Sequence, residues 1–361
     1  MSDLQSRALG AFVGLAAGDA SGFPSRYHRM TRASFRRGLL WSQAVEMDDQ
    51  HVNKFPLPFT LSAPPAGESF AATDDAEQAA LGTAVFLRAL TNRVAESDAS
   101  PEVWELFAAW QQIVLPQADE YWGSVADRSA ILNSLDGLLP PSTGTDNPHF
   151  YDDSSIARSL PIGVAYAGRP SEAAVVARRL ASITNAGVGI DGAAAFASVI
   201  ASAVGGSVLG DAIATAESEI DGDSWLGRKY TLAEQIFNDV GSLIAAVPQW
   251  NDEVANLEYN FGNVAAETLP LALIIARESR SFGEAVGIAN LIPKQADTMP
   301  AMVGAIVGAT QGASAIPATW RDRIETLRGY AVPSTAGVRL PDLVGALLSS
   351  AEVSPQGRPA R

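Results

Sequence analysis

The sequence contains no cysteine, which excludes disulfides, thiolate metal sites and a cysteine nucleophile. Only three histidines are present: His28, His51 and His149. Each falls in a stretch without helical periodicity and reads as a surface residue. Positive charge is scarce, with 25 Lys+Arg against 40 Asp+Glu and a net charge of −15. That balance argues against nucleic acid as a partner, because phosphate binding relies on basic patches that release counterions. There is no run of alternating strands, no tandem repeat and no basic N-terminal stretch leading into an apolar core. A cytoplasmic protein without a membrane partner is therefore expected. The apolar stretch over residues 192–210 approaches membrane-spanning length, but its Ala, Gly and Ser content fits a tightly packed buried helix better.

What is present is a chain of 361 residues, 47% hydrophobic and 18% charged, long and apolar enough for a large core. Helical periodicity recurs over residues 4–18, 73–90, 101–114, 155–166, 171–184, 192–204, 231–247, 264–277, 300–312, 320–329 and 341–350, predicting an all-α, multi-helix fold. Gly10, Gly14, Gly18 and Gly22 lie four apart, and Gly304, Gly308 and Gly312 repeat the pattern near the other end. Glycine inside a helix costs about 1 kcal/mol relative to alanine, so a glycine face implies close approach of another backbone. Packing of these two faces would close residues 1–350 into a single domain, with residues 351–361 as a flexible tail. Residues 21–72 and 137–153 read as long irregular loops. The first holds Arg26, Arg29, Arg32, Arg36 and Arg37, read as a solvated face, and Glu46, Asp48 and Asp49, which a lid could swing over a site.

The chemistry concentrates at Thr73-Asp74-Asp75-Ala76-Glu77 and at Gln295-Ala296-Asp297-Thr298. Each also spells an ordinary helix start, with a hydroxyl cap and acidic residues in the first turn. Yet both are dense in hard oxygen ligands of the kind that suit magnesium or manganese rather than zinc. If the glycine faces pack, the two clusters can meet as a binuclear oxygen site. Tyr121 and Trp122 read as core aromatics that could alternatively stack on a base.

These motifs, with Gly10-xxx-Gly14-xxx-Gly18-Asp19-Ala20-x-Gly22, Arg158-Ser159-Leu160-Pro161-Ile162-Gly163 and the closing Ile316-Pro317-xx-Trp320, resemble the ADP-ribosylglycohydrolase family in the same order over residues 7–320. The resemblance implies an orthogonal bundle of helices with long functional loops. It implies two Mg2+ or Mn2+ ions and hydrolysis of an N- or O-glycosidic bond at the anomeric carbon of an ADP-ribosyl or small-molecule substrate. It places Thr73, Asp74, Asp75, Asp297 and Thr298 at the metals, with Asp74 and Asp75 catalytic. Tyr151, Asp152, Asp153, Ser154, Arg158 and Asn185 become substrate-binding candidates.

The sequence departs from that family in its site. Arg26 stands where a glutamate that acts on the attacking water is usual, Gln295 where an aspartate begins the second metal cluster, and Asn185 where a histidine is common. Tyr151-Asp152-Asp153 replaces a Gly-Asn-Gly loop. One tight and one weak or empty metal site are expected, because Gln295 brings no charge. A catalytically silent relative that binds ADP-ribose or a nucleotide is the alternative to a hydrolase.

Overall fold

The computed structural model describes residues 2–22, 70–93, 100–255, 263–292, 294–296 and 298–353. Arg26, Arg29, Arg32, Arg36, Arg37, His28, Glu46, Asp48, Asp49, His51 and Asp297 lie outside the described residues, as do the lid and most of the tail. The all-α expectation holds. Among the described residues there is no strand, only an isolated bridge between Thr326 and Arg339.

The chain opens with α1 (Asp3–Gly22), α2 (Asp74–Asn92), α3 (Val103–Val114), α4 (Val125–Leu135) and the single turn α5 (Ser142–Thr145). The middle is α6 (Ser154–Ala165), α7 (Pro170–Ala181), α8 (Val188–Gly205), α9 (Leu209–Glu217), α10 (Trp225–Val240) and α11 (Leu243–Gln249). It ends with α12 (Ala265–Glu278), α13 (Phe282–Ala289), α14 (Met299–Gln311), α15 (Ala318–Ile324) and α16 (Leu340–Val353). The sequence reading missed α4, α9 and α13 and ran α10 and α11 together. Gly241 separates that pair by closing α10 at φ +66°, its N–H donating to the Phe237 carbonyl.

The apolar stretch seen in the sequence is α8, the one described helix long and apolar enough to cross a membrane, and 78% of it is buried within the fold. It packs against α6, α7 and α9, with α14 and α12 on its other sides. Its small residues Ala193, Ala194, Ala195, Ala197, Ala201 and Ala203 are all buried, so neighbouring helices come close all around it.

The two glycine faces pack directly, backbone on backbone. A Cβ added at Gly10, Gly14, Gly18 or Gly22 would lie 2.1, 2.1, 1.9 or 1.8 Å from the carbonyl oxygen of Gly308, Gly304, Pro300 or Ala296. As numbers rise along α1 they fall along its partner, so α1 and α14 run antiparallel along this contact. No side chain fits between them, and the register cannot slide without a clash. The C-terminal end of α1 thereby meets the N-terminal end of α14, next to the start of α2.

Gly14→Ala is expected to destabilise the fold by at least about 2 kcal/mol, since the methyl overlaps a backbone oxygen. Gly287→Ala, in α13 where a Cβ meets nothing within 4 Å, is expected to stabilise by about 0.5–1 kcal/mol. Chemical denaturation of both variants measures the opposite signs.

Candidate functional site

Asp19, in the last turns of α1, is fully buried and faces the N-terminus of α2. The backbone N–H of Thr73 donates to Asp19 Oδ2 at 2.6 Å, and that of Ala76 donates to the same oxygen at 3.2 Å. The Thr73 hydroxyl donates to Asp19 Oδ1. The start of α2 is therefore capped by a carboxylate from another helix, while Thr73 makes no side-chain cap bond of its own. Burial, and then the Asp74 charge, raise the Asp19 pKa well above the usual carboxylate value, while the bonds from Thr73 and Ala76 oppose the rise.

With the hydroxyl proton of Thr73 directed at Asp19, the lone pairs of Thr73 Oγ1 remain available, and Asp74 and Asp75 face an open cleft. The cleft has a volume of about 160 Å³. One wall is Asp74, Asp75 and Gln78 from the first two turns of α2, and Thr298 closes it at the start of α14. The other wall is Trp122, Gly123, Ser124 and Val125, leading into α4. His149, Asp152, Asp153, Ser154 and Asn263 complete the lining.

The remaining substrate-binding candidates sit behind this lining. Asn185 is fully buried and donates from Nδ2 to Asp152 Oδ1 at 2.9 Å and to the Phe150 carbonyl at 3.2 Å. Ser154 donates to the same Asp152 oxygen from its hydroxyl at 2.8 Å. Arg158 is buried and donates to Asp127 Oδ1 at 2.8 Å, an ion pair under the cleft floor. Tyr151 packs edge-on against Phe150 and tilted against Trp225. Asn185, Arg158 and Tyr151 thus shape the lining without being part of it.

A second buried layer lies behind Asp153. The Thr268 hydroxyl is 2.7 Å from both Asp153 Oδ2 and Gln295 Oε1. Gln295 donates from Nε2 to Glu267 Oε2 at 2.6 Å, and the same oxygen pairs with Lys294 at 2.6 Å, with both charged side chains fully buried. Both ends of the Gln295 amide are thus engaged, and Gln295 does not line the cleft. Glu77, one helical turn into α2, accepts the backbone N–H groups of Tyr330, Ala331 and Val332 at 2.7, 2.7 and 2.9 Å. Trp122 is held to the same segment, its N–H donating to the Ala331 carbonyl at 2.7 Å.

Sequence reasoning missed three contributors. Asp19 falls within the glycine pattern of α1, and nothing local reveals that it caps the start of another helix. Gln78 and Asp127 were passed over, although Ser124-xx-Asp127 forms a reciprocal capping box, a motif visible in sequence. Of the two adjacent aromatics, Tyr121 is core, whereas Trp122 is 69% exposed on the cleft wall. His149 lines the cleft and stacks on Tyr151.

The donor set fits a hard divalent cation. Four carboxylates and the hydroxyl residue Thr298 face one cleft whose lining holds no Lys or Arg among the described residues, and Thr73 directly precedes Asp74. Among the described residues, no group of three or more His, Asp or Glu side chains is already gathered tightly enough to hold an ion.

A sequence profile for the ADP-ribosylglycohydrolase family matches residues 1–354. A solved structure described as an ADP-ribosylglycohydrolase-related protein complex has a similar fold, with a TM-score of 0.59 at 19% identity, covering 97% of this chain and 100% of that one. Comparison with curated proteins gives no match.

Burial, and next the Asp127 charge, raise the Asp152 pKa, opposed by hydrogen bonds from Asn185, Ser124 and Ser154. A folded-state pKa above the unfolded value of about 3.9 means that the native state holds this proton more tightly. The resulting stability is fully present below that value and is lost as pH rises through the folded pKa. Asp152→Asn removes the titration. The wild-type minus variant stability difference is expected to fall as pH rises from about 4 toward neutrality. Urea unfolding at a series of pH values checks it, and a flat or rising difference contradicts it.

Proposed function

The chain belongs to the ADP-ribosylglycohydrolase family, and on that premise we propose that it is a divalent-metal-dependent hydrolase of an N- or O-glycosidic bond to ribose, in an ADP-ribosylated or nucleoside-like substrate. The observation that supports this most is the meeting of Asp74 and Asp75 with Thr298, Asp152 and Asp153 in one cleft. A cation bound there, Mg2+ or Mn2+, would supply activation of a water and orientation of the sugar hydroxyls.

Thr73, Asp74 and Asp75 are the residues that would hold the cation. They are fixed by Asp19, which cannot move without breaking its bonds to the start of α2. Thr298, just before α14, would face it; Asp297, the other metal candidate of the sequence, lies outside the described residues. The Gln295 amide, tied to Glu267 and Thr268, adds no charge there, so a second ion would bind more weakly than the first. Asp152, Asp153 and Ser154 border the place where the sugar would lie. Asp152, which burial makes more basic, is a group that can take the proton of the attacking water. The anomeric carbon then exchanges its bond to the leaving group for one to that water oxygen, and the departing nitrogen or oxygen takes up a proton, returned by Asp152 or supplied by solvent.

Removal of divalent metal by chelation is expected to abolish turnover, and Asp74→Ala and Asp75→Ala each to lower kcat/KM by about 100-fold or more. The assay is release of free ribosyl product from ADP-ribosylated protein and from ribonucleosides, with Mn2+ or Mg2+ restored. Metal-independent turnover, or full activity of both variants, would overturn the proposal. Ligand binding without turnover would instead identify a silent binder.

A further inference from the structure

A single exposed aromatic on a protein surface carries no meaning by itself. Trp122 differs in its company and in its mounting. It lines the cleft with its side chain 69% exposed, and Val125, 45% exposed, continues the same wall. Tyr330, itself 39% exposed, stands next to the indole, with ring centroids 6.2 Å apart and planes inclined by 45°. Two partly solvated aromatic rings from distant parts of the chain thus meet at a cleft whose other wall carries Asp74 and Asp75.

The backbone beneath these rings is fixed from several sides. The Trp122 N–H donates to the Ala331 carbonyl at 2.7 Å. Arg128 holds the preceding residue, donating to the Tyr121 carbonyl at 3.2 Å. At the next residue, Gly123, an added Cβ would lie 2.3 Å from the Tyr121 ring, so the chain turns tightly under the indole. Glu77 is fully buried and spends both carboxylate oxygens on the N–H groups of Tyr330, Ala331 and Val332. Gln117 clasps the same segment further on, its Oε1 accepting the Ser334 N–H at 2.8 Å and its Nε2 donating to the Ser334 hydroxyl at 2.7 Å. Because Glu77 follows Asp74 by one turn of α2, one helix start carries both the acidic wall and the anchor of the aromatic pair. A tryptophan kept for packing alone would be buried, as Trp110 and Trp250 are. The indole of Trp122 is instead solvated on a fixed backbone, and such a surface gives up little freedom when a ligand lies on it.

We propose that Trp122, with Tyr330 beside it, is the stacking wall for a planar heteroaromatic ring of the substrate, a ring of the nucleobase type. This rests on the glycohydrolase function proposed above and adds the group that the substrate must carry besides ribose. An indole face favours an offset stack on another flat ring. Stacking of a base on an aromatic side chain contributes roughly tenfold to a hundredfold in affinity, and a bare sugar has no flat face to offer. Two sources present such a ring to a ribosyl site: a base on the anomeric carbon itself, or the adenine at the far end of an ADP-ribosyl group. Trp122 is a specificity residue in either case.

The test is binding to the full chain in Mn2+, read by calorimetry and by indole fluorescence. The probes are ADP-ribose, ribose 5-phosphate, and 9-deazainosine, whose carbon–carbon bond to ribose resists hydrolysis. The chain has seven tryptophans, so Trp122→Ala and Trp122→Phe assign the signal. At least one of the two ring-bearing probes is expected to bind about tenfold or more tighter than ribose 5-phosphate and to quench the wild type. Trp122→Ala is expected to lose about the same factor for that probe. Trp122→Phe is expected to restore its affinity to within about threefold while the quench is lost, a separation that a packing role would not produce. The effect with 9-deazainosine places the ring at the anomeric carbon, and the effect with ADP-ribose alone places it at the adenine; either supports the stacking wall. Should Trp122→Ala fail to fold, the quench and its loss in Trp122→Phe decide. Ribose 5-phosphate binding as tightly as both ring-bearing probes, or Trp122→Ala leaving their affinities unchanged, overturns the proposal while the glycohydrolase reading stands. No binding by any of the three probes overturns that reading, and this proposal with it.

Discussion

The backbone contact between α1 and α14 constrains everything else. Four glycines on α1 and the carbonyls of Gly308, Gly304 and Pro300 on α14, with that of Ala296 just before it, leave no room for side chains, so the pair has one register. That register sets the end of α1 against the starts of α2 and α14. Asp19 then reaches the first turn of α2, and Thr298 faces Asp74 and Asp75 across the cleft. Both helix starts direct positive dipole ends toward this region, which makes a concentration of carboxylates tolerable there.

Beneath the cleft the structure keeps its charges in closed pairs. Asp127 with Arg158 and Glu267 with Lys294 are buried ion pairs, and such pairs add little net stability while being costly to break. Their value here is geometric. Asp127 fixes Gln78, and Glu267 fixes Gln295 and through Thr268 leads to Asp153. Glu77 fastens residues 330–332 by three backbone donors, and Trp122 rests on that segment. The lining therefore inherits its shape from polar networks one layer deeper.

Much of this was legible in the sequence, for physical reasons. Glycine spacing of four can be read because a missing side chain has one strong structural use, and the contact of the two faces, though not its direction, follows from it. Oxygen-rich helix starts can be read because caps and hard-metal ligands draw on the same residue types. What stayed hidden acts across long sequence separations. Asp19 is 54 residues from the N–H it caps, and Gln78 is 49 residues from the carboxylate that orients it. The helix that presents Asp127 has apolar residues on no single face, so periodicity missed α4 even though its capping box was present. Short α9 and α13 escaped for want of length, and Trp122 departed from a core role that its neighbour Tyr121 keeps.

The central claim is that the glycine contact assembles a cation site from the start of α2 opposite the start of α14. Anomalous diffraction at the manganese edge from crystals grown in Mn2+ tests it directly. An anomalous peak is predicted in the cleft, about 2.0–2.6 Å from carboxylate oxygens of Asp74 and Asp75, on the side facing Thr298. A cleft with no peak, or manganese bound only elsewhere on the acidic surface, would contradict it.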